Sequence, residues 1–386
     1  MKQEILIVAG EASADMHAAH LVQELKSLIP DAQYFGVGGR ALAAEGMEIL
    51  IPSSDLNVVG LADWREKLAS VFAKFKALKK ETSRRKPVLA VLLDLPDFNL
   101  KLSKHLKKIG VPVVYYISPQ VWAWRRYRVR TIRKNIERML VLFPFEKAFY
   151  EAHGVDAHFV GHPILENVES RTAHRSQDEV VRAPRIALLP GSRTSELRNH
   201  CEILKRLATG LKELYPDAQL RVPVASTLPW ADVIAAFANS PITVTEQDSR
   251  ETMRWADIAV VASGTATLET AIVGTPFCLF YKMSRTTAWL IKNVVRYRRF
   301  FGMPNLLHGR EVVREFLHEN ATADALLQEC RSLIGDERYR HKMAEDLAQC
   351  RSLLGEPGAS RRAALQIHQV LRAQPARKAS LVSAPV

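Results

Sequence analysis

Cysteine is scarce in this 386-residue chain: Cys201, Cys278, Cys330 and Cys350 are the only four, and no two form a C-x-x-C pair. Such scatter fits reduced packing residues of a cytoplasmic protein better than a disulfide framework or a zinc site. The first glycine loop has neither G-x-G-x-x-G nor a P-loop lysine, which disfavours dinucleotide and ATP binding of those kinds. No RRM, KH or helix-turn-helix pattern occurs. No export signal is expected either, because "MKQEILIVAGEASAD" runs into an acidic loop instead of a cleavage site. Long apolar runs are nearly missing too. The one of bilayer length, residues 258–281, holds only Glu269 as a charge. It is broken at Ser263-Gly264-Thr265 and Gly274-Thr275-Pro276, so it predicts a strand, a helix and a second strand.

Positive charge is present in excess. Lys and Arg total 54 against 41 Asp and Glu, which predicts a surface that attracts phosphate-rich partners without saying which. At 47% hydrophobic and 25% charged residues the composition is globular, and the length suits two domains. Short apolar segments alternate with amphipathic ones: "EILIVA", "AQYFGV", "PVLAVLLD", "VPVVYYIS" and "RMLVLF", then, beyond a polar stretch at 161–184, "RIALLP", "AQLRVPV", "PITVT", "DIAVVA" and "PFCLFY". Runs apolar throughout predict strands of a parallel sheet covered on both faces. The fold class is therefore α/β, with two doubly wound domains in series and a helical end from Asp336 to Arg372.

Ligands of such sheets bind beyond the carboxyl ends of the strands, and four loops there carry chemistry. In Gly10-Glu11-Ala12-Ser13-Ala14-Asp15, Ser13 and Asp15 also read as helix caps, whereas Glu11 is harder to assign to capping. Asp94 closes a strongly apolar strand, so poor solvation would raise its pKa and suit a general base; a capping role is the even alternative. Asp97 is expected to cap the next helix. Pro190-Gly191-Ser192-Arg193 and the turn at Gly264-Thr265 together suit a diphosphate, with Arg193 adding charge-assisted bonds. Glu269, one turn into that helix, can accept from ribose hydroxyls or stabilise the helix dipole.

Two segments mix apolar bulk with cations. In residues 60–80, Leu61, Trp64, Leu68, Val71, Phe72, Phe75 and Leu78 recur at helical spacing among Arg65 and five lysines. The inner edge of that stripe is expected in the core and the remainder on an anionic bilayer. Residues 289–301, "WLIKNVVRYRRFF", are a second candidate.

The segments "GEASAD", "DLPDFN", "YYISPQVWAWR", "LFPFEKAFY", "FVGHP", "LLPGSR", "ASGTATLE" and "PNLLHGRE" resemble, in order and up to about residue 320, the lipid-A-disaccharide synthase family. The tryptophan motif and "PNLL" are specific to it; the glycine turns are generic to GT-B nucleotide-sugar transferases. The resemblance implies a GT-B fold with two Rossmann-like domains facing across a cleft. The boundaries expected are 1–165 for the acceptor and membrane-facing domain, completed by helices at about 345–372, 183–344 for the UDP-sugar domain, and 373–386 for a flexible tail. It implies inverting transfer of 2,3-diacylglucosamine from UDP-2,3-diacylglucosamine to the 6-hydroxyl of 2,3-diacylglucosamine 1-phosphate (lipid X), without a required metal or other cofactor. The products are a β-1,6 disaccharide and UDP. The expected location is cytoplasmic, peripheral on the anionic inner-membrane surface, with no nucleic-acid partner; the oligomeric state stays open, a homodimer included.

Family positions carry over onto Glu11, Ser13 and Asp94 as catalytic residues, Asp94 being the base. Arg193, Ser192, Gly264, Thr265, Glu269 and Asn305 are expected at UDP. The family's usual Ser-Gly-Asp reads Ser13-Ala14-Asp15 here, so either this turn needs no positive φ or the loop is rearranged. Trp122 and Trp124 are expected to wall the cleft or to anchor packing. Arg125 and Arg126 are expected near the acceptor phosphate, and Arg128, Arg130 and Arg133 toward solvent or headgroups. The rivals are another GT-B UDP-N-acetylglucosamine transferase or epimerase and, from a different class, a basic nucleic-acid-binding protein.

Overall fold

The computed structural model describes residues 3–56, 64–166, 168–170, 175–282 and 300–382, without the side chains of 64–68 and 374–382. The chain divides into two compact units, Met1–Pro163 with Gly355–Val386, and Ile164–Leu354.

The first unit is built on β1 (Gln3–Ala9), β2 (Ala32–Gly38), β3 (Glu48–Pro52), β4 (Leu89–Leu93), β5 (Val113–Tyr116), β6 (Arg138–Val141) and β7 (Ala157–Phe159). They form one parallel sheet in the order β3-β2-β1-β4-β5-β6-β7. Alternate residues of each strand serve opposite faces, which is why the strands are apolar throughout. Ile5, Ile7 and Ala9 join Leu21, Leu25 and Ile367, from the helices Ala12–Leu28 and Ala359–Val382, in one core cluster. Leu6 and Val8 join Leu102, Leu106 and Ile132, from the helices Pro96–Lys108 and Val129–Asn135, in the other. Each large side chain so buried contributes roughly 1.5–3 kcal/mol.

The second unit repeats the plan with β8 (Arg185–Leu189), β9 (Gln219–Pro223), β10 (Thr243–Thr245), β11 (Ile258–Ala262), β12 (Phe277–Tyr281) and β13 (Glu315–Leu317), all parallel, in the order β10-β9-β8-β11-β12-β13. The apolar stretch 258–281 is β11, the helix Thr265–Val273 and β12, all within this unit. Among the described residues no helix is long and apolar enough to cross a membrane.

In each sheet the strand order reverses between two neighbours, β1 and β4 in the first, β8 and β11 in the second. Crevices open at such switch points, beyond the carboxyl ends of the strands. The four loops singled out from the sequence follow these four strands.

The ends of the chain differ from expectation. Residues 345–353 belong to the helix Glu337–Leu353 of the second unit, so the segment returning to the first is the helix Ala359–Val382. That helix runs through Ala373, where a frayed tail was expected, to Val382.

Candidate active site

At the first switch point Asp94 follows β4 with φ 48°, and Leu95 after it has φ 37°, two left-handed residues in succession that L side chains resist. Side chains hold the turn. Asn99 Nδ2 donates to the carbonyls of Leu93 and Asp94, both at 2.8 Å, and the Tyr115 hydroxyl donates to the Asp94 carbonyl. The turn aims the carboxylate at the loop after β1, where it accepts from Gly10 N–H at 3.1 Å and Glu11 N–H at 2.8 Å. Gly10 leaves room for the Leu95 side chain: a Cβ there would sit 1.9 Å from Leu95 Cδ1, so a larger residue would force that leucine to shift. Burial pushes the Asp94 pKa up to about 7, against the two backbone donors that pull it down, and the nearby Glu11 charge adds to the rise. A half-buried carboxyl poised there suits proton abstraction near neutrality.

Ala14 resolves the departure from Ser-Gly-Asp. It is a buried residue of the helix Ala12–Leu28 and is absent from the positive-φ positions, so this turn needs no glycine. Ser13 is exposed in the first turn of that helix, and Glu11 is its N-cap residue without a side-chain cap bond. Asp15 is structural: its carboxylate accepts from Gly39 N–H at 2.6 Å and Ala41 N–H at 2.9 Å, holding the start of the short helix Arg40–Ala44.

The tryptophan segment is a loop after β5. Trp122 is half-buried, packed edge-on against Phe145 with ring centroids 5.0 Å apart, and its Nε1–H donates to Glu146 Oε1 at 3.1 Å. Trp124 is exposed, with the Arg125 guanidinium 4.2 Å from its ring centroid. Asp97 does not cap its helix, whose N-cap residue is Leu95. It pairs instead with Arg125, at 3.1 Å, and with Arg128. Arg128 is therefore buried in an ion pair and not turned to solvent or headgroups. Arg126, Arg130 and Arg133 are exposed.

At the second switch point the loops after β8 and β11 line a cavity of about 460 Å³ with Gly191, Ser192, Arg193, Gly264, Thr265 and Glu269. Its floor is organised by Glu196, whose Oε2 accepts from Ser192 N–H at 3.0 Å and Arg193 N–H at 3.3 Å. The Glu196 carboxylate fills the space a side chain at Gly191 would need: a Cβ there would lie 2.3 Å from Oε2, and Gly191 has φ 108°. Arg193 is left with its side chain 77% exposed and its guanidinium 3.7 Å from Glu196 Oε1. The helix Thr265–Val273 opens at the cavity with Thr265 and Ala266, whose N–H groups have no acceptor within the helix itself. That end attracts phosphate. Glu269 reaches the same cavity with Oε1 held by Arg250, from Nη2 at 2.9 Å and Nε at 3.1 Å.

Asn305 does not line this cavity. Fully buried, it donates to Val313 O at 2.7 Å and Glu315 Oε1 at 2.8 Å, and its Oδ1 accepts from the N–H groups of Val312 and Val313. With both donors and its acceptor engaged inside the chain, it braces the 301–315 segment and has no bond left for a nucleotide. In the expected membrane stripe, Phe75 meets Phe98 edge-on at 5.1 Å and Val71 packs on the core, while Phe72 is 70% exposed. Leu61 and residues 289–299 lie outside the described residues, as do the side chains of Trp64 and Leu68.

Sequence reasoning passed over Glu146, Glu196 and Arg250. The two glutamates had a signal, each standing third in a helix that opens just after a strand, where a carboxylate can bond back to free N–H groups. Arg250 had none, since only the fold brings it to Glu269.

Two parallel Rossmann-like units in one chain, each with its loops at the switch point, define the GT-B class. Solved structures agree on the fold. The glycotransferase of kitacinnamycin matches with TM-score 0.59 at 14% identity, covering 96% of this chain and 100% of that one. The Neisseria meningitidis UDP-GlcNAc 2-epimerase bound to UDP-GlcNAc matches with TM-score 0.59 at 12% identity, covering 96% and 100%. Sequence is more particular: residues 5–370 match the family model for lipid-A-disaccharide synthetase. The lipid-A-disaccharide synthase of Myxococcus xanthus is 40% identical over 95% of this chain and 97% of its own length. That of Koribacter versatilis is 41% identical over 91% and 93%. The chain belongs to the lipid-A-disaccharide synthase family and is a glycosyltransferase.

Proposed function

We propose that the chain transfers 2,3-diacylglucosamine from UDP-2,3-diacylglucosamine to the 6-hydroxyl of lipid X with inversion, forming the β-1,6-linked disaccharide 1-phosphate and UDP. Asp94 carries the reading. In a single displacement the acceptor oxygen attacks the anomeric carbon, its proton passes to the Asp94 carboxylate, and the bond from that carbon to the diphosphate oxygen breaks. The elevated pKa of Asp94 suits this base role at neutral pH. The leaving UDP takes up negative charge, which Arg193 and the N-terminus of the helix Thr265–Val273 stabilise. Oε2 of Glu269 accepts from the ribose, while Ser13 and Glu11 border the base. Trp122, Trp124, Arg125 and Arg126 form the acceptor side. The enzyme works at the cytoplasmic face of the inner membrane as a peripheral protein, in keeping with its acylated substrates and its excess of 54 cationic over 41 acidic residues.

The test is incubation with both acylated sugars and mass spectrometry of the products. UDP and a disaccharide 1-phosphate are expected from the wild type, with neither from Asp94→Asn. Hydrolysis or epimerisation of the UDP-sugar without a disaccharide would sink the assignment.

A further inference from the structure

The segment "LFPFEKAFY" has no part in the chemistry described above. Two of its side chains, Glu146 and Tyr150, stand one turn apart on the helix Pro144–Glu151 after β6, and both reach across to the loop after β5. Glu146 Oε1 accepts from the Ser118 hydroxyl at 2.7 Å and from Trp122 Nε1–H at 3.1 Å, and Oε2 accepts from Phe143 N–H at 3.3 Å. The Tyr150 hydroxyl donates to the Pro119 carbonyl at 3.0 Å.

Capping explains only part of this. The bond to Phe143 N–H is the helix's own capping box. The Ser118 and Trp122 bonds do nothing for that helix, yet they draw a carboxyl group into a site where it is 3% exposed. Desolvation makes such a position costly unless the donors are fixed in place, so the arrangement binds the loop as firmly as the loop binds it. The loop needs holding. It enters through Ile117 at φ 64° and leaves through Arg125 at φ 56°, both left-handed without being glycine. Between these points its own backbone bonds are the turns Val121 N–H to Pro119 O, and Ala123 and Trp124 N–H to Gln120 O. Trp124 and Arg125 stand exposed at its far end.

We propose that Glu146 and Tyr150 are positioning residues that latch the 117–125 loop, fixing the Trp122 ring and through it the placement of Trp124 and Arg125 for the acceptor sugar. Neither side chain touches substrate. That the loop serves an acceptor rests on the proposed reaction; the latch itself does not, and its test separates the two.

Emission from Trp122, read as wild type minus Trp122→Phe, reports the latch without any substrate. Glu146→Ala and Tyr150→Phe are expected to shift that emission to the red. They are also expected to raise the acceptor KM about tenfold, with kcat changed less and the Kd for UDP within about twofold of wild type. Glu146→Gln keeps an acceptor oxygen for Ser118 and Trp122 and is expected to retain most of both properties. If Glu146→Ala fails to fold, Tyr150→Phe, which loses one hydroxyl, carries the test alone. Unchanged Trp122 emission in folded variants overturns the latch whatever the kinetics. If the wild type forms no disaccharide, the reaction fails as a reading while the emission still decides the latch.

Discussion

Asp94 and Glu11 meet through the main chain: the Asp94 carboxylate accepts the Glu11 N–H at 2.8 Å, joining the ends of β1 and β4 across the first switch point. Two backbone donors favour the ionised form and burial opposes it; burial wins, placing the pKa at about 7. A base must be ionised to accept a proton, so kcat is expected to rise with pH through 7 and level off above it. Asp94→Asn is expected to bind UDP normally and to make no product. Stability moves the other way. The folded carboxyl holds its proton up to about pH 7 and the unfolded one only to about 4, so folding is favoured below pH 4 and loses stability as pH climbs through that window. Comparing denaturant midpoints of wild type and Asp94→Asn from pH 4 to 8 isolates the contribution of Asp94, because Glu146, raised in the same direction by burial, titrates in both. A parallel pair of curves would mean that Asp94 is not displaced.

Arg193 offers a cleaner separation of binding from folding. Its side chain is 77% exposed, and its only acidic neighbour among the described residues is Glu196, 3.7 Å away. An exposed pair of that length contributes little, so Arg193→Ala is expected to leave the melting midpoint within about a degree of wild type. A charge-assisted bond to a diphosphate is worth roughly 1.5–3 kcal/mol, so UDP affinity is expected to fall by about tenfold to a hundredfold. Calorimetry checks it; unaltered affinity would remove Arg193 from the diphosphate site.

Much of this was legible in the sequence for a simple reason. Central strands such as β1, β4 and β11 are buried on both faces and read as unbroken apolar runs, and the loops after them inherit the switch-point geometry. Three of the four edge strands, β3, β7 and β13, left no such trace: Glu48–Pro52, Ala157–Phe159 and Glu315–Leu317 are short and partly exposed, with Glu48, His158 and Glu315 among them. Partnerships between distant charges were equally invisible. Nothing local told that Asp97 would meet Arg128 and not its own helix, or that Asn305 would bond inward, because spacing cannot report what folding brings together.

Asn305 tests that last point. Its amide takes part in four hydrogen bonds, donating two and accepting two, three of them buried. Alanine would leave the Val312 and Val313 N–H groups without their acceptor and the Val313 carbonyl without a donor, while the Glu315 carboxylate keeps the N–H donors of Phe301 and Gly302. The expected cost is on the order of 3 kcal/mol, a fall of roughly 10 °C in the melting midpoint for a unit of this size. Kd for UDP, measured below the transition, is expected to change by no more than about threefold. A large loss of UDP affinity with an unchanged midpoint would restore Asn305 to the nucleotide site.

The basic amphipathic helix Trp64–Arg85 separates core from surface along one stripe. Phe75 packs against Phe98 at 5.1 Å and Val71 joins the same cluster, so serine at Phe75 removes a partly buried ring and is expected to cost roughly 2 kcal/mol or more. Phe72, one turn back, is 70% exposed and returns almost nothing to the fold. An exposed ring one turn from the exposed Lys76 is what a helix resting on anionic lipid requires, since the ring enters the interface while the cation stays at the headgroups. Phe72→Ser is therefore expected to keep the wild-type melting midpoint and to lower partition onto vesicles containing anionic lipid several-fold, with turnover of detergent-dispersed substrate much less affected. Phe75→Ser is expected to show the converse, a lower midpoint without a specific loss of partition in the folded protein. Sedimentation with vesicles at low and high salt checks both. If Phe72→Ser partitions as the wild type does, this stripe is not the membrane-facing surface.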